Sequence, residues 1–201
     1  MAKPNGGDIE GRIGFDDRGF ILNTEEPPYS AICWIRSEWA DGDFGYGTGF
    51  IFGQRTIFTA AHMVYKKGVG MATKIQAIPG LVDLDAPFAW ATLSGRSARA
   101  HPAWIKSEDR ANDLAALLLP GDLGLRTGWS DLGPVEVYNG LQINATGYAL
   151  DYQFATGKYR QAQAGGEMWG QRSMGWRCTM PTVMSAPVAG RSGAYRTLRL
   201  T

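Results

Sequence analysis

The chain has 201 residues, 20 Lys and Arg against 19 Asp and Glu, and a formal net charge of +1, so it carries no broad basic or acidic field. That balance excludes nucleic acid and an anionic membrane surface as its main partner. Hydrophobic residues make up 44% of it, enough for a sizeable core, and no apolar run approaches the roughly 18 residues of a membrane span.

Residues 1–12 read as a leader, a propeptide end or a tag. Met-Ala-Lys-Pro-Asn-Gly-Gly lacks the apolar centre of a signal peptide, and Ile9-Glu10-Gly11-Arg12 matches a sequence used to cleave fusion proteins. Ile13 is the alternative, natural start of a mature chain. From Tyr29 onward, short apolar stretches recur between turn signals. Strands are expected over 30–36, 49–52, 73–78, 88–93, 114–119, 141–148, 158–164 and 174–180. Asp41-Gly42-Asp43, Pro79-Gly80, Pro120-Gly121 and Asn139-Gly140 punctuate them. No stretch longer than about ten residues holds a helical apolar period, so the predicted class is all-β, sandwich or barrel. The 27 scattered glycines suit such a turn-rich fold. A Gly-, Asp- and Pro-rich stretch at 121–134 divides the chain into lobes of 13–120 and 121–201.

Cys33 and Cys178 are the only cysteines. Two cannot make a disulfide framework, no spacing fits a structural zinc site, and two buried free thiols is the favoured reading.

Three segments carry candidate chemistry. The first runs from Phe50 to Met63 as strand, turn and strand, then a tight corner in which Thr59-Ala60-Ala61 leads to His62. Small residues there let the corner pack closely and hold the imidazole in one orientation. The second is Asn112-Asp113 at the mouth of the apolar run 114–119. A carboxylate entering a buried strand needs a dedicated partner, either within its own turn or in a histidine that it orients. The third is Gly190-Arg191-Ser192-Gly193. Glycines around a serine allow a tight turn that exposes the hydroxyl and aims backbone N–H groups at a reacting oxygen, although an ordinary loop serine has the same flanks.

His62, Asp113 and Ser192 follow one another in an order known to deliver a Ser-His-Asp triad. The chain resembles the trypsin-like, chymotrypsin-fold serine peptidases, and within them the bacterial glutamyl-endopeptidase-like branch. Gly47-Thr48-Gly49-Phe50-Ile51 with Thr59-Ala60-Ala61-His62 carry the likeness. So do His101-Pro102 with Asn112-Asp113-Leu114-Ala115, and Gly190-Arg191-Ser192-Gly193. Ile13-Gly14, Asp16-Asp17 and Pro28-Tyr29 match the mature start of that branch more loosely.

The resemblance implies two six-stranded antiparallel β-barrels. His62 and Asp113 would belong to the first and Ser192 to the second. It implies a serine endopeptidase working through an acyl-enzyme on a protein or peptide substrate, with His62 as general base and Asp113 as its orienting carboxylate. Ser192 would be the nucleophile, and the backbone N–H groups of Gly190 and Ser192 the oxyanion hole. It also implies no metal or organic cofactor, a monomer, and secretion or residence in the cell envelope. His101 is read as structural. The pattern departs from the family in three places. Nine residues follow Ser192-to-Gly193's serine, too few to close a second barrel, which is therefore expected to be incomplete. Arg191 stands where an Asp would pair with a new N-terminus. Pro187 replaces a pocket Thr, and no histidine follows Ser192, so a preference for acidic side chains is not implied. A non-catalytic homologue that uses the same scaffold to bind another protein is the alternative.

Overall fold

A computed structural model describes residues 18–133, 141–168, 182–184 and 194–198. The expected leader at 1–12, Ile13, the strand at 174–180, Cys178, Pro187, Gly190, Arg191 and Ser192 lie outside the described residues.

The chain order begins with β1 (Gly19–Phe20), β2 (Ile32–Glu38), β3 (Phe44–Phe52) and β4 (Thr56–Thr59). The small hairpin strands β5 (Tyr65–Lys66) and β6 (Gly70–Met71) follow, then β7 (Lys74–Pro79), β8 (Ala91–Leu93) and β9 (Ala98–Ala100). Helix α1 (Pro102–Ser107) leads to β10 (Ala115–Leu118) and the short helix α2 (Gly124–Thr127). The rest is β11 (Trp129–Gly133), β12 (Leu141–Tyr148), helix α3 (Leu150–Thr156), β13 (Gln161–Met168), β14 (Thr182–Met184) and β15 (Ala194–Leu198). One sheet runs in the order β1-β13-β12-β14-β15-β11-β3-β2-β7-β8, with β4 on β3, β10 on β4 and β9 on β10. Pairings are antiparallel except for β11, which runs parallel to β15 and, at Ser130 opposite Phe52, to β3.

Alternation builds the first core. Buried and partly exposed residues alternate along β7 and β4, and along β10 as far as Leu118, because successive side chains of a strand point to opposite faces. The inward set, Ile35, Ile51, Ile57, Ile75 and Leu117, is wholly buried. A second cluster, Ile32, Trp34, Phe50, Leu81 and Tyr148, forms where the other face of β2 and β3 meets β12. Several polar groups cross this seam with partners, as most buried polar groups do. Tyr148 N–H donates to Thr48 Oγ1 at 2.8 Å and its hydroxyl to Leu81 O at 3.0 Å, while Gln161 Nε2 donates to Tyr29 O at 2.9 Å.

β3 starts at Phe44, five residues before the expected strand at 49–52, because its pairing with β2 extends from Ile32↔Phe50 to Glu38↔Phe44. Its glycines hide that length, since glycine is a poor strand former. At Gly49 a Cβ would meet Ile35 Cδ1 at 2.6 Å, Ile57 Cγ2 at 2.9 Å and Phe58 O at 2.9 Å. At Gly47 it would meet Met63 Sδ at 2.8 Å. Close approach rather than a turn accounts for both glycines, strictly at Gly49, where Phe58 O belongs to the backbone, and less so at Gly47, where the Met63 side chain can shift. The expected strand at 141–148 is observed as β12, whereas 88–93 yields only β8. Helices α1 and α3, of 6 and 7 residues, are too short to show an apolar period in sequence.

Candidate active site

β4 and β10 pair antiparallel with Ala115 opposite Thr59 and Leu117 opposite Ile57. Continued two residues past the end of the ladder, that register sets Asp113 opposite Ala61, next to His62. Both strands then turn sharply, and the turns decide where the side chains point.

After β4, Ala60 remains extended (φ −69°, ψ 146°) and Ala61–Met63 form one 3-10 turn. Met63 N–H donates to Ala60 O at 3.1 Å and Val64 N–H to Ala61 O at 3.0 Å. Ala61, Met63 and Val64 are buried, so the turn is anchored on either side of His62 and the imidazole faces outward, half exposed. Thr59 Oγ1 donates to Thr48 O at 2.9 Å, which ties the last residue of β4 to β3.

Ahead of β10, a 3-10 turn at Arg110–Asn112 is capped by Asp109, whose carboxylate accepts from Ala111 N–H at 3.1 Å. Asp113 follows at φ −75°, ψ 66°, and Leu114 N–H donates to Asn112 O at 2.8 Å. These are the marks of an inverse γ-turn centred on Asp113. His101 N–H donates to Leu114 O at 2.9 Å and pins the far side.

The two turns meet. His62 Nδ1 lies 2.6 Å from Asp113 Oδ2, and His62 N–H donates to Asp113 Oδ1 at 2.8 Å. One carboxylate thus holds both the ring and the backbone of the same histidine. A carboxylate at Nδ1 favours the tautomer that carries its proton there, leaving the Nε2 lone pair free to accept. The Asp113 side chain is only 9% exposed. Burial opposes its ionisation, but the His62 ring hydrogen bond, the His62 charge and the N–H groups of His62 and Ala61 outweigh that and hold its carboxyl below the usual range.

His101 has a different job. Its Nδ1 accepts from Ala103 N–H at 3.2 Å and caps α1, with Pro102 in the first helical position. The helix carries Trp104, whose buried ring lies 6.2 Å from that of His62 at 55° and forms one wall of the site. In sequence Trp104 is only the aromatic residue of the His101-Pro102-Ala103-Trp104 element that precedes the Asp113 segment. Its spacing from His101 was the available signal, and only the helix shows that it turns toward His62.

The structure therefore brings together two of the sequence-derived site residues, while Ser192 and Gly190 lie outside the described residues. Cys33 is a free thiol, fully buried, and burial pushes its ionisation well up, so it is no nucleophile. Among the described residues no group of three or more His, Cys, Asp and Glu side chains could hold a metal ion.

No protein-family model matches the chain. It is 32% identical over 151 residues to "Extracellular metalloprotease" of Bacillus subtilis (strain 168), covering 72% of this chain and 46% of that protein. It is 26% identical over 228 residues to "Glutamyl endopeptidase" of Bacillus licheniformis, covering 96% of this chain and 66% of that protein. The chain thus spans about half to two thirds of the length of these relatives. The metal in the first relative's name finds no donor set here, because His62 and Asp113 engage each other with no third donor among the described residues. No step below is routed through one. Among solved structures, a Glu endopeptidase in complex with MPD superposes with a TM-score of 0.70 at 23% identity, over 80% of this chain and 72% of that one. That likeness shows the all-β, two-barrel chymotrypsin fold. In fold and in sequence the chain is thus similar to the glutamyl endopeptidases, the branch of the trypsin-like serine peptidases that its motifs resemble.

Proposed function

We propose that the protein is a serine endopeptidase. The observation that carries this reading is the single carboxylate of Asp113 held on both Nδ1 and the backbone N–H of His62. A histidine fixed in that way presents Nε2 to solvent as a proton acceptor. A serine hydroxyl is a weak nucleophile until such a base removes its proton.

In the proposed reaction His62 takes the proton of Ser192 as Oγ attacks the scissile carbonyl, then returns it to the leaving amine. Asp113 stabilises the imidazolium formed in between; its lowered carboxyl range keeps it ionised for that purpose. The N–H groups of Gly190 and Ser192 receive the oxyanion, each such donor typically contributing about 10²–10³ in rate. Water hydrolyses the acyl-enzyme through the same base. The substrate is a protein or peptide, and the working location is outside the cell or in its envelope. The working unit is a monomer of two lobes divided near residues 121–134.

Treating the folded protein with a serine-reactive phosphonate and mapping the adduct tests the assignment. Labelling at Ser192 that vanishes in His62→Ala is the expected result. A folded protein that never labels would instead make the chain a non-catalytic homologue that binds other proteins.

A further inference from the structure

The described surface carries a second concavity, remote from His62. It is an open groove of about 270 Å³ between the approach to β8 and the segment that joins β10 to α2. Trp90, Leu119, Pro120, Leu123, Asp122 and Arg126 are among the residues that line it. Leu119 is 1% exposed and makes the floor, whereas the Trp90 indole is 59% exposed and open to a partner. Asp113 lies six residues before Leu119 along β10 and its flanks, so strand geometry separates groove and dyad by about 20 Å.

Three features mark the groove as built for a ligand of definite chemistry. The segment joining β10 to α2 is fixed in advance. Leu119 N–H donates to Arg55 O at 2.8 Å, Arg55 Nη2 donates back to Leu119 O and Pro120 O at 3.3 Å, and Gly124 N–H donates to Gln54 O at 3.0 Å. Gly124 lies so close to the β3–β4 turn that a Cβ would be 2.3 Å from Gly53 O, so α2 cannot drift. Preorganised walls spare a ligand the entropy of ordering them. Its charge is one-sided, because Asp122 is paired with Arg55 Nε at 3.6 Å while the Arg126 guanidinium makes no ion pair or hydrogen bond among the described residues. Its size, below the roughly 300–1,000 Å³ of pockets for drug-sized molecules, suits one or two side chains.

We propose that this groove is an exosite for an extended peptide segment, taking an aromatic or aliphatic side chain against Trp90 and Leu119 and an adjacent carboxylate on Arg126. Trp and Arg are among the side chains most enriched in the residues that carry binding energy at protein interfaces, and Trp90 and Arg126 both line this groove. The proposal does not rest on the peptidase reading.

Anisotropy titrations of full-length His62→Ala protein with the labelled peptide fluorescein-Gly-Glu-Phe-Asp-Gly test it without turnover. Saturable binding is expected. Arg126→Glu should weaken it about tenfold or more and Trp90→Ala about fivefold or more, while Arg126→Lys should retain most of it. The neutral analogue Gly-Gln-Phe-Asn-Gly should bind about tenfold less tightly. Both substituted side chains are exposed, so folding is expected to survive and circular dichroism checks it. Absence of binding overturns the proposal, as does binding indifferent to Arg126→Glu and Trp90→Ala, or equal binding of the neutral peptide. Sedimentation showing self-association that Trp90→Ala abolishes overturns it as well, by making a second copy of the chain the occupant.

Discussion

Thr48 joins β12 to the candidate active-site corner, and replacing it tests how the molecule is held together. Its hydroxyl accepts from Tyr148 N–H across the seam at 2.8 Å, and its carbonyl accepts from Thr59 Oγ1 at 2.9 Å, three residues before His62. Among the described residues β14 pairs with β12 only at Asn144, Ala145 and Thr146, so none of them reaches Tyr148 on that side to replace Thr48. Thr48→Val keeps the shape and the carbonyl but removes the acceptor. An orphaned, partly buried N–H costs about 1–3 kcal/mol. The extra methyl returns less than about 1 kcal/mol, leaving a net loss of about 1–2 kcal/mol. Thr48→Ser keeps the acceptor and loses only a half-buried methyl, at under about 0.8 kcal/mol. Urea unfolding should show a lower midpoint for Thr48→Val with an unchanged slope. Thermal melts should fall by about 2–4 °C per kcal/mol for a chain of this size. Equal midpoints for Thr48→Val and the parent, or a larger loss in Thr48→Ser than in Thr48→Val, would refute the bridging role.

Three further outcomes follow from the same geometry. Asp113→Asn should leave the fold intact while lowering peptide hydrolysis by about 10⁴, because an amide at Nδ1 no longer selects the productive tautomer; a change within tenfold would remove Asp113 from the proposed mechanism. Gly49→Ala should cost about 1–3 kcal/mol in denaturant unfolding, since the isoleucine tips can rotate away from the new methyl but Phe58 O, fixed in the ladder, cannot. The Asp113 carboxyl, held below its ordinary range when folded, stabilises the native state fully above its unfolded value of about 3.9. That contribution should disappear as pH falls below about 4 and through the lowered folded value. The stability gap between parent and Asp113→Asn, flat above that window in urea titrations, should narrow within it; a gap independent of pH would show the carboxyl unperturbed.

Much of this was legible in sequence because the relevant signals are short and local. β12 ends where its apolar run ends, and the corner at Ala60-Ala61-His62 follows from small residues after a strand. The Asp at the mouth of β10 announced that it needed a partner, and the choice between its own turn and His62 was left open by sequence. The structure resolves it through pairing: the γ-turn exists, and the β4–β10 register turns it toward His62. What could not be read depends on contacts between distant residues. The first half of β3 looks like a glycine-rich loop until Met63, Ile35 and Ile57 are seen to fill the space that side chains at Gly47 and Gly49 would occupy. His101 and Trp104 acquire their cap and wall roles only once α1 forms, and six residues are too few to announce a helix.

β10 lies between β4 and β9, and its register is the quantity on which the rest depends. Ala115 and Leu117 point into the core and are 2% and 0% exposed, whereas Leu118 faces out at 60%. A slip of one residue against β4 would exchange those faces, putting Leu118 inside and expelling Leu117, a cost no surface contact could offset. The same slip would move Asp113 by about 3.3 Å along the strand, enough to break both of its bonds to His62. The apolar core of β10 therefore fixes the distance between carboxylate and imidazole more firmly than their own 2.6 Å contact does. Because Leu119, the next residue on the buried face, floors the distal groove, the packing that aligns the proposed catalytic pair also sets the depth of the proposed exosite.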